Sequence, residues 1–238
     1  MIKGKQRNKL NNFELEIELL LGNHHEKTGY IYYFELLHET FTRATKHLIS
    51  DSQQFKTDLI GENKENCQSL IQSNESVSNP LIQTLYNSYF ITVHSELEIM
   101  LIKLNEIVFK HCKNSTFPKK TNKVSFDSFN DSTNTLPFIQ ESLRKYEILI
   151  IYSYVRNGLI HPKNCKGSLE FLELEQNIKE GKISHLEIVD NENRFNFLIK
   201  DIDFIVKYSE EIISFLQYLI DNSFKYRTLS HEVCKLKS

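Results

Sequence analysis

Apolar side chains recur at three- and four-residue steps along much of this chain and at two-residue steps in one stretch near its C-terminal third. That contrast separates helical from extended parts. Over residues 28–50, Tyr30, Tyr33, Phe34, Leu37, Phe41, Ala44 and Leu48 fall on one face of a helix. Residues 13–21 form a short apolar and acidic segment, and Gly22 with Asn23 reads as its stop. Asn79 reads as an N-cap and Pro80 as the first residue of a long helix reaching Cys112, with Leu81, Leu85, Leu97, Leu101, Leu104 and Val108 as its stripe. Leu136-Pro137 opens a further helix that turns Phe138, Leu143, Ile148, Ile150, Ile151, Tyr154 and Val155 inward. The last helix starts from a cap at Asp201 or Asp203 and buries Ile205, Val206, Ile212, Ile213, Leu216, Leu219 and Ile220, with the final dozen residues frayed.

Two stretches carry no period. Residues 51–78, with Gly61, Asn63, Asn66, Ser73, Asn74, Ser76 and Ser78, read as a loop containing at most a turn of helix, and residues 113–135 read as a second polar loop with Lys119, Lys120 and Lys123. After Pro162 the pattern changes to period two over 169–175, 183–189 and 194–200, which predicts strands, and Asp190-Asn191-Glu192-Asn193 reads as the turn joining the last two. The fold expected is all-α: a bundle of four or five principal helices with long loops and a small antiparallel β-hairpin insertion over about 168–200. It is read as a single domain over 1–238, its helical body at about 28–162 and 201–222.

A chain of 238 residues with 40% hydrophobic content can bury one sizeable core. A formal charge of −2 and a pI near 6.5 supply no global attraction to a polyanion, so any nucleic-acid contact has to rest on local basic groups. Cys67, Cys112, Cys165 and Cys234 form no CxxC pair, which argues against a zinc knuckle or a disulfide scaffold. His24-His25-Glu26 and His111-Cys112 lack a second ligand pair, so neither a metal nor another cofactor is assigned. The basic N-terminus runs into Glu14, Glu16 and Glu18 rather than an apolar signal region, and every apolar stretch is broken well short of a membrane span. The expectation is a soluble, cytoplasmic chain with no membrane partner.

Chemistry concentrates in Arg156-Asn157-Gly158-Leu159-Ile160-His161-Pro162, at the end of the most apolar helix. At about 100° per residue, Asn157 and His161 stand nearly one above the other, and Arg156 lies roughly 140° from His161, a gap its long stem can bridge. Gly158 loosens the last turn, and Pro162 disfavours helical geometry at His161, which places the histidine at or just past the helix C-terminus. The helix dipole there favours imidazolium. An arginine can grip a phosphate and a histidine can move a proton. Spacing alone carries little, since Arg43–His47 and Arg227–His231 come close to it. The polar residue after the arginine, the apolar helix before it and the helix stop after the histidine carry the argument.

Arg156, Asn157 and His161 in this context resemble the RX4–6H motif of the HEPN superfamily. The long helix with Tyr89-Phe90 and His94-Ser95-Glu96-Leu97-Glu98 resembles the one that packs against the motif helix in such domains. The resemblance covers about 28–222, and its specific part is those three residues. It implies a helical domain that forms a homodimer, two motif helices facing each other across a composite cleft, and RNA cleaved without a metal. Arg156 would bind the scissile phosphate, His161 would serve as acid or base in attack by the ribose 2′-hydroxyl, leaving a cyclic phosphate, and Asn157 would orient one of them. Glu96 would support the arginine by analogy. The biological role implied is that of a toxin or antiviral-defence effector, of the abortive-infection kind, with an antitoxin or sensor as partner. Toxins silenced by nucleotidyltransferase partners resemble RX4HXY, and Lys163 stands where their tyrosine would be. The alternative reading is a catalytically inactive HEPN-like module that binds RNA, a nucleotide or a protein, and a third is a plain helical scaffold.

Overall fold

The computed structural model describes residues 15–22, 28–62, 64–111, 137–160, 169–191 and 194–236. Residues 15–21 form helix α1, which Gly22 ends: its amide donates to the Glu18 carbonyl at 2.8 Å, and its φ of 77° is a left-handed conformation that glycine adopts without steric cost. The Gly22 backbone lies directly against that of Gly29, so a Cβ on either would overlap the other's main chain. The helix stop expected at Gly22 is therefore also a close crossing of two backbone segments.

Helix α2 spans Gly29–Glu62 and α3 spans Lys64–His111. The loop expected over 51–78 is thus helical apart from residue 63, which lies outside the described residues. Among the side chains described there none is buried: Gln54 Nε2 donates to Asp58 Oδ1 at 2.6 Å along the exposed face of α2, and the half-buried Asn74 Nδ2 of α3 donates to Ser52 Oγ of α2 at 3.4 Å. A helix wetted over most of its circumference shows no apolar period. For the same reason Pro80 does not open α3 but lies inside it, exposed, where its ring nitrogen offers no proton to the carbonyl one turn back. The buried stripe of α3 begins later, at Tyr86, Tyr89, Phe90 and Val93, and continues through Leu97, Leu101 and Leu104, whereas Leu81 is exposed.

Residues 113–135, expected as a second loop, lie outside the described residues. Pro137 opens a helix as expected, but the run splits into α4, Pro137–Lys145, and α5, Ile148–Ile160, about a turn at Tyr146-Glu147. Residues 169–175, expected as a strand, belong to helix α6, Leu169–Lys179. Phe171, Leu174 and Ile178 fall at three- and four-residue steps, which is helical spacing; strict alternation would put Leu172 and Leu174 on one face, yet Leu172 is exposed while Leu174 is buried. The helix is further supported by an ion pair one turn apart, Lys179 Nζ to Glu175 Oε1 at 3.0 Å.

The hairpin is as expected in kind and shorter in extent. Strands β1, Leu186–Asn191, and β2, Arg194–Ile199, pair antiparallel, from Leu186 opposite Ile199 to Asn191 opposite Arg194. Asp190 and Asn191 are therefore strand residues, and Glu192-Asn193 fall outside the described residues. Helix α7, Ile202–Leu236, starts from an Asp201 cap, the Asp203 amide donating to Asp201 Oδ1 at 2.9 Å. It continues to Leu236 instead of fraying over the last dozen residues, because neither proline nor glycine interrupts 202–236.

The chain divides into two compact units. One draws on residues up to Glu35, Val93–Tyr154 and the chain from Tyr208 onward; it buries Leu97, Met100, Leu101, Tyr152, Tyr208 and Phe215. Within it His94, fully buried, meets Tyr208 Oη through Nδ1 at 2.8 Å, and Tyr152 sets its ring edge-on to Tyr208 with centroids 4.8 Å apart. A polar pair in an apolar core has to bond internally, since no water is there to replace the partner. The other unit draws on Leu36–Thr92 and Val155–Lys207 and buries Phe41, Phe90, Val155, Leu174, Phe197 and Phe204. Phe41 stacks on Tyr89 with centroids 4.1 Å apart, and Phe90 meets Phe204 at 5.5 Å. Among the described residues no helix is long and apolar enough to cross a membrane.

Candidate functional site

Helix α5 carries Leu149, Ile151, Tyr152 and Val155 buried on successive turns, and its polar side chains are few. Ser153, buried, returns its hydroxyl proton to the Ile150 carbonyl at 2.6 Å, a local bond that lets a serine sit in an apolar helix. Arg156 and Asn157 follow, both half-buried. Arg156 Nη1 donates to Asn157 Oδ1 at 2.9 Å. A guanidinium has only donors, so the amide must present its oxygen, and a neutral acceptor orients the arginine without cancelling its charge.

The structure therefore brings together two of the three residues expected to form the site. The third, His161, lies outside the described residues; α5 ends at Ile160, immediately before it. Glu96, half-buried on α3, belongs with Tyr33 and Lys103: burial and then the Glu96 carboxylate hold the Tyr33 phenol above its ordinary pKa. The hydrogen bond Lys103 donates to Tyr30 Oη at 3.1 Å is the main cause that raises the Lys103 ammonium, with Glu96 contributing less.

Gly158 has a different part from the one its sequence position suggests. It is a buried, fully helical residue, and a Cβ there would overlap Cε2 of Phe197 and stand 2.9 Å from Cδ2 and 3.1 Å from Cζ. The Phe197 ring, 5% exposed, rests on the helix backbone where any side chain would exclude it. No local signal marks this pairing, since a glycine near a helix end ordinarily reads as a stop.

Among the described residues one cluster of metal-ligand residue types also emerges. His185, Asp201 and Asp203 hold potential ligand atoms within 4.8 Å of one another. Both Asp201 oxygens are engaged, Oδ2 with His185 Nδ1 at 2.6 Å and Oδ1 with the Asp203 amide. The cluster sits at the N-terminus of α7, where the helix dipole favours anions over cations. The geometry is that of a helix cap tied to a histidine. His185 itself adopts φ 62°, and its carbonyl accepts from the Lys200 amide at 2.8 Å, closing the base of the hairpin.

Comparison with protein-family models, curated proteins and solved structures finds no match for this chain.

Proposed function

We propose that the chain is a HEPN-like, metal-independent endoribonuclease that works as a homodimer, in the role of a toxin or antiviral-defence effector. The observation that carries the reading is the Arg156–Asn157 bond on an apolar helix that reaches Ile160, the residue before His161-Pro162. The planar guanidinium of an arginine can hold a phosphate through two parallel hydrogen bonds. A histidine next to the negative end of a helix dipole is suited to carry a proton at neutral pH.

In the proposed reaction the ribose 2′-hydroxyl attacks the adjacent phosphorus as His161 takes or supplies the proton. Arg156 stabilises charge on the non-bridging oxygens, and the 5′-oxygen leaves with a proton. The products are a 2′,3′-cyclic phosphate and a 5′-hydroxyl. Two copies of the motif form the cleft in this reading.

The test is cleavage of labelled RNA by purified protein in the presence of EDTA, with the new ends analysed for cyclic phosphate. Arg156→Ala and His161→Ala are expected each to lower the rate by about 10²-fold or more. RNA bound but left intact by the wild-type protein would replace the nuclease with a binding module. Cleavage unchanged in both variants would remove the motif from any catalytic role.

A further inference from the structure

Arg156 and Asn157 share their turn with Gly158, and the ring of Phe197 from β2 lies against that glycine. At about 100° per residue, Gly158 points about 200° away from Arg156, so the ring supports the turn from the side opposite the arginine. A glycine inside a helix is less favourable than alanine because its backbone has more freedom to lose, and near the helix end that freedom lets the turn open. A rigid ring bearing on its backbone counters that freedom.

Phe197 is itself held. Gln83 Nε2 of α3 donates to the Ile199 carbonyl at 2.6 Å, two residues further along β2. The Lys200 amide bonds the His185 carbonyl, and His185 joins Asp201 at the cap of α7. Ile188, directly opposite Phe197 in β1, backs the same position of the hairpin. Strand β2 is thus fixed to two helices at the end from which Phe197 projects, and all these contacts lie within one compact unit.

We propose that Phe197 is a positioning residue for the ribonuclease motif: it clamps the turn of α5 that holds Gly158 and so sets the direction in which Arg156 and Asn157 are presented. Its effect on cleavage rests on the ribonuclease reading above; the clamp itself does not. The hairpin, on this view, serves as a rigid strut for the motif helix.

The experiment compares Phe197→Ala, Phe197→Leu and the double variant Gly158→Ala/Phe197→Ala with wild type, in the full chain. The readouts are kcat and KM for RNA and the hydrogen-exchange rates of the Leu159 and Ile160 amides. Phe197→Ala is expected to lower kcat roughly ten- to a hundredfold with KM little changed, since a small misplacement of catalytic groups acts on the transition state. It is expected to speed exchange at both amides. Phe197→Leu, which keeps most of the volume, is expected to retain most of the rate, and the double variant to recover part of what Phe197→Ala loses. A rate loss matching only the unfolded fraction, or unchanged kcat and exchange in folded Phe197→Ala, overturns the proposal. If wild-type protein cleaves no RNA, the ribonuclease reading falls by itself. The two amides then decide the clamp: faster exchange without the ring supports it, and unchanged exchange removes it.

Discussion

The Phe197 ring lies against the backbone of Gly158, leaving no room for a Cβ. A residue that reads as a helix breaker is in this fold a buried contact surface, used because it has no side chain. Replacing Gly158 by alanine would gain about 1 kcal/mol in helix propensity and lose about 1–3 kcal/mol to overpacking against the ring. Gly158→Ala is therefore expected to lower stability by about 1 kcal/mol, read as a lower urea midpoint at constant slope. A rise in the midpoint would mean that the ring yields freely.

Asp201 serves two partners, the Asp203 amide and His185 Nδ1. Asp201→Ala removes the cap of α7 and is expected to cost about 1–2 kcal/mol. Asp201→Asn keeps an acceptor for the amide and loses only the ionic part of a contact whose side chains are 38% and 44% exposed, worth at most about 1 kcal/mol. Thermal unfolding of the two variants should rank alanine below asparagine; equal losses would show that the ion pair, not the cap, matters at this position.

Pro80 lies exposed within α3, where it removes one helical hydrogen bond. An interior proline costs about 3 kcal/mol relative to alanine, and its stiffening of the unfolded chain returns up to about 1 kcal/mol. Pro80→Ala is expected to raise stability by about 1–2 kcal/mol, seen as a higher melting temperature. A fall would show that a bend at Pro80 is required by the packing that follows it in α3.

Tyr152 has its phenol pushed well above the ordinary tyrosine range, first by burial and then by the Glu211 carboxylate. A raised folded-state pKa means that the folded chain holds its proton where the unfolded chain has lost it. The stability this contributes is complete below the unfolded value of about 10 and declines as pH rises beyond it. Burial raises Tyr33, Tyr86 and Tyr146 in the same direction. Urea midpoints should hold steady through neutral pH and fall above pH 10 or so, less steeply in Tyr152→Phe. An equal slope in that variant would take Tyr152 out of the alkaline transition.

Much of the architecture was legible in the chain because burial of one face leaves a period. The helix over 28–50, the cap at Asp201, the proline opening at Pro137 and the two strands about residues 192–193 are all local patterns with local causes. The misreadings share one origin. Over 51–62 and 64–78 the backbone is helical and none of the described side chains is buried, so that helix left no apolar stripe. Residues 169–175 carry apolar side chains at both two- and three-residue steps, and choosing between the periods requires knowing what each side chain meets. Within the candidate site, the Arg156–Asn157 pair joins neighbours in sequence and could be anticipated, whereas the Phe197 contact joins a strand to a helix across intervening elements.

The sequence by itself determined that helices begin near residue 28, at Pro137 and after Asp201, where the hairpin lies and which segment gathers an arginine, an amide and a histidine, because side-chain periodicity, capping chemistry and proline geometry act within a few residues. Only the tertiary structure decided that the solvated stretches are helical and that Gly158 is occupied by Phe197. Continuity of a wetted helix depends on the elements it leans on, and a close approach of ring to backbone is set by packing between segments far apart in the chain.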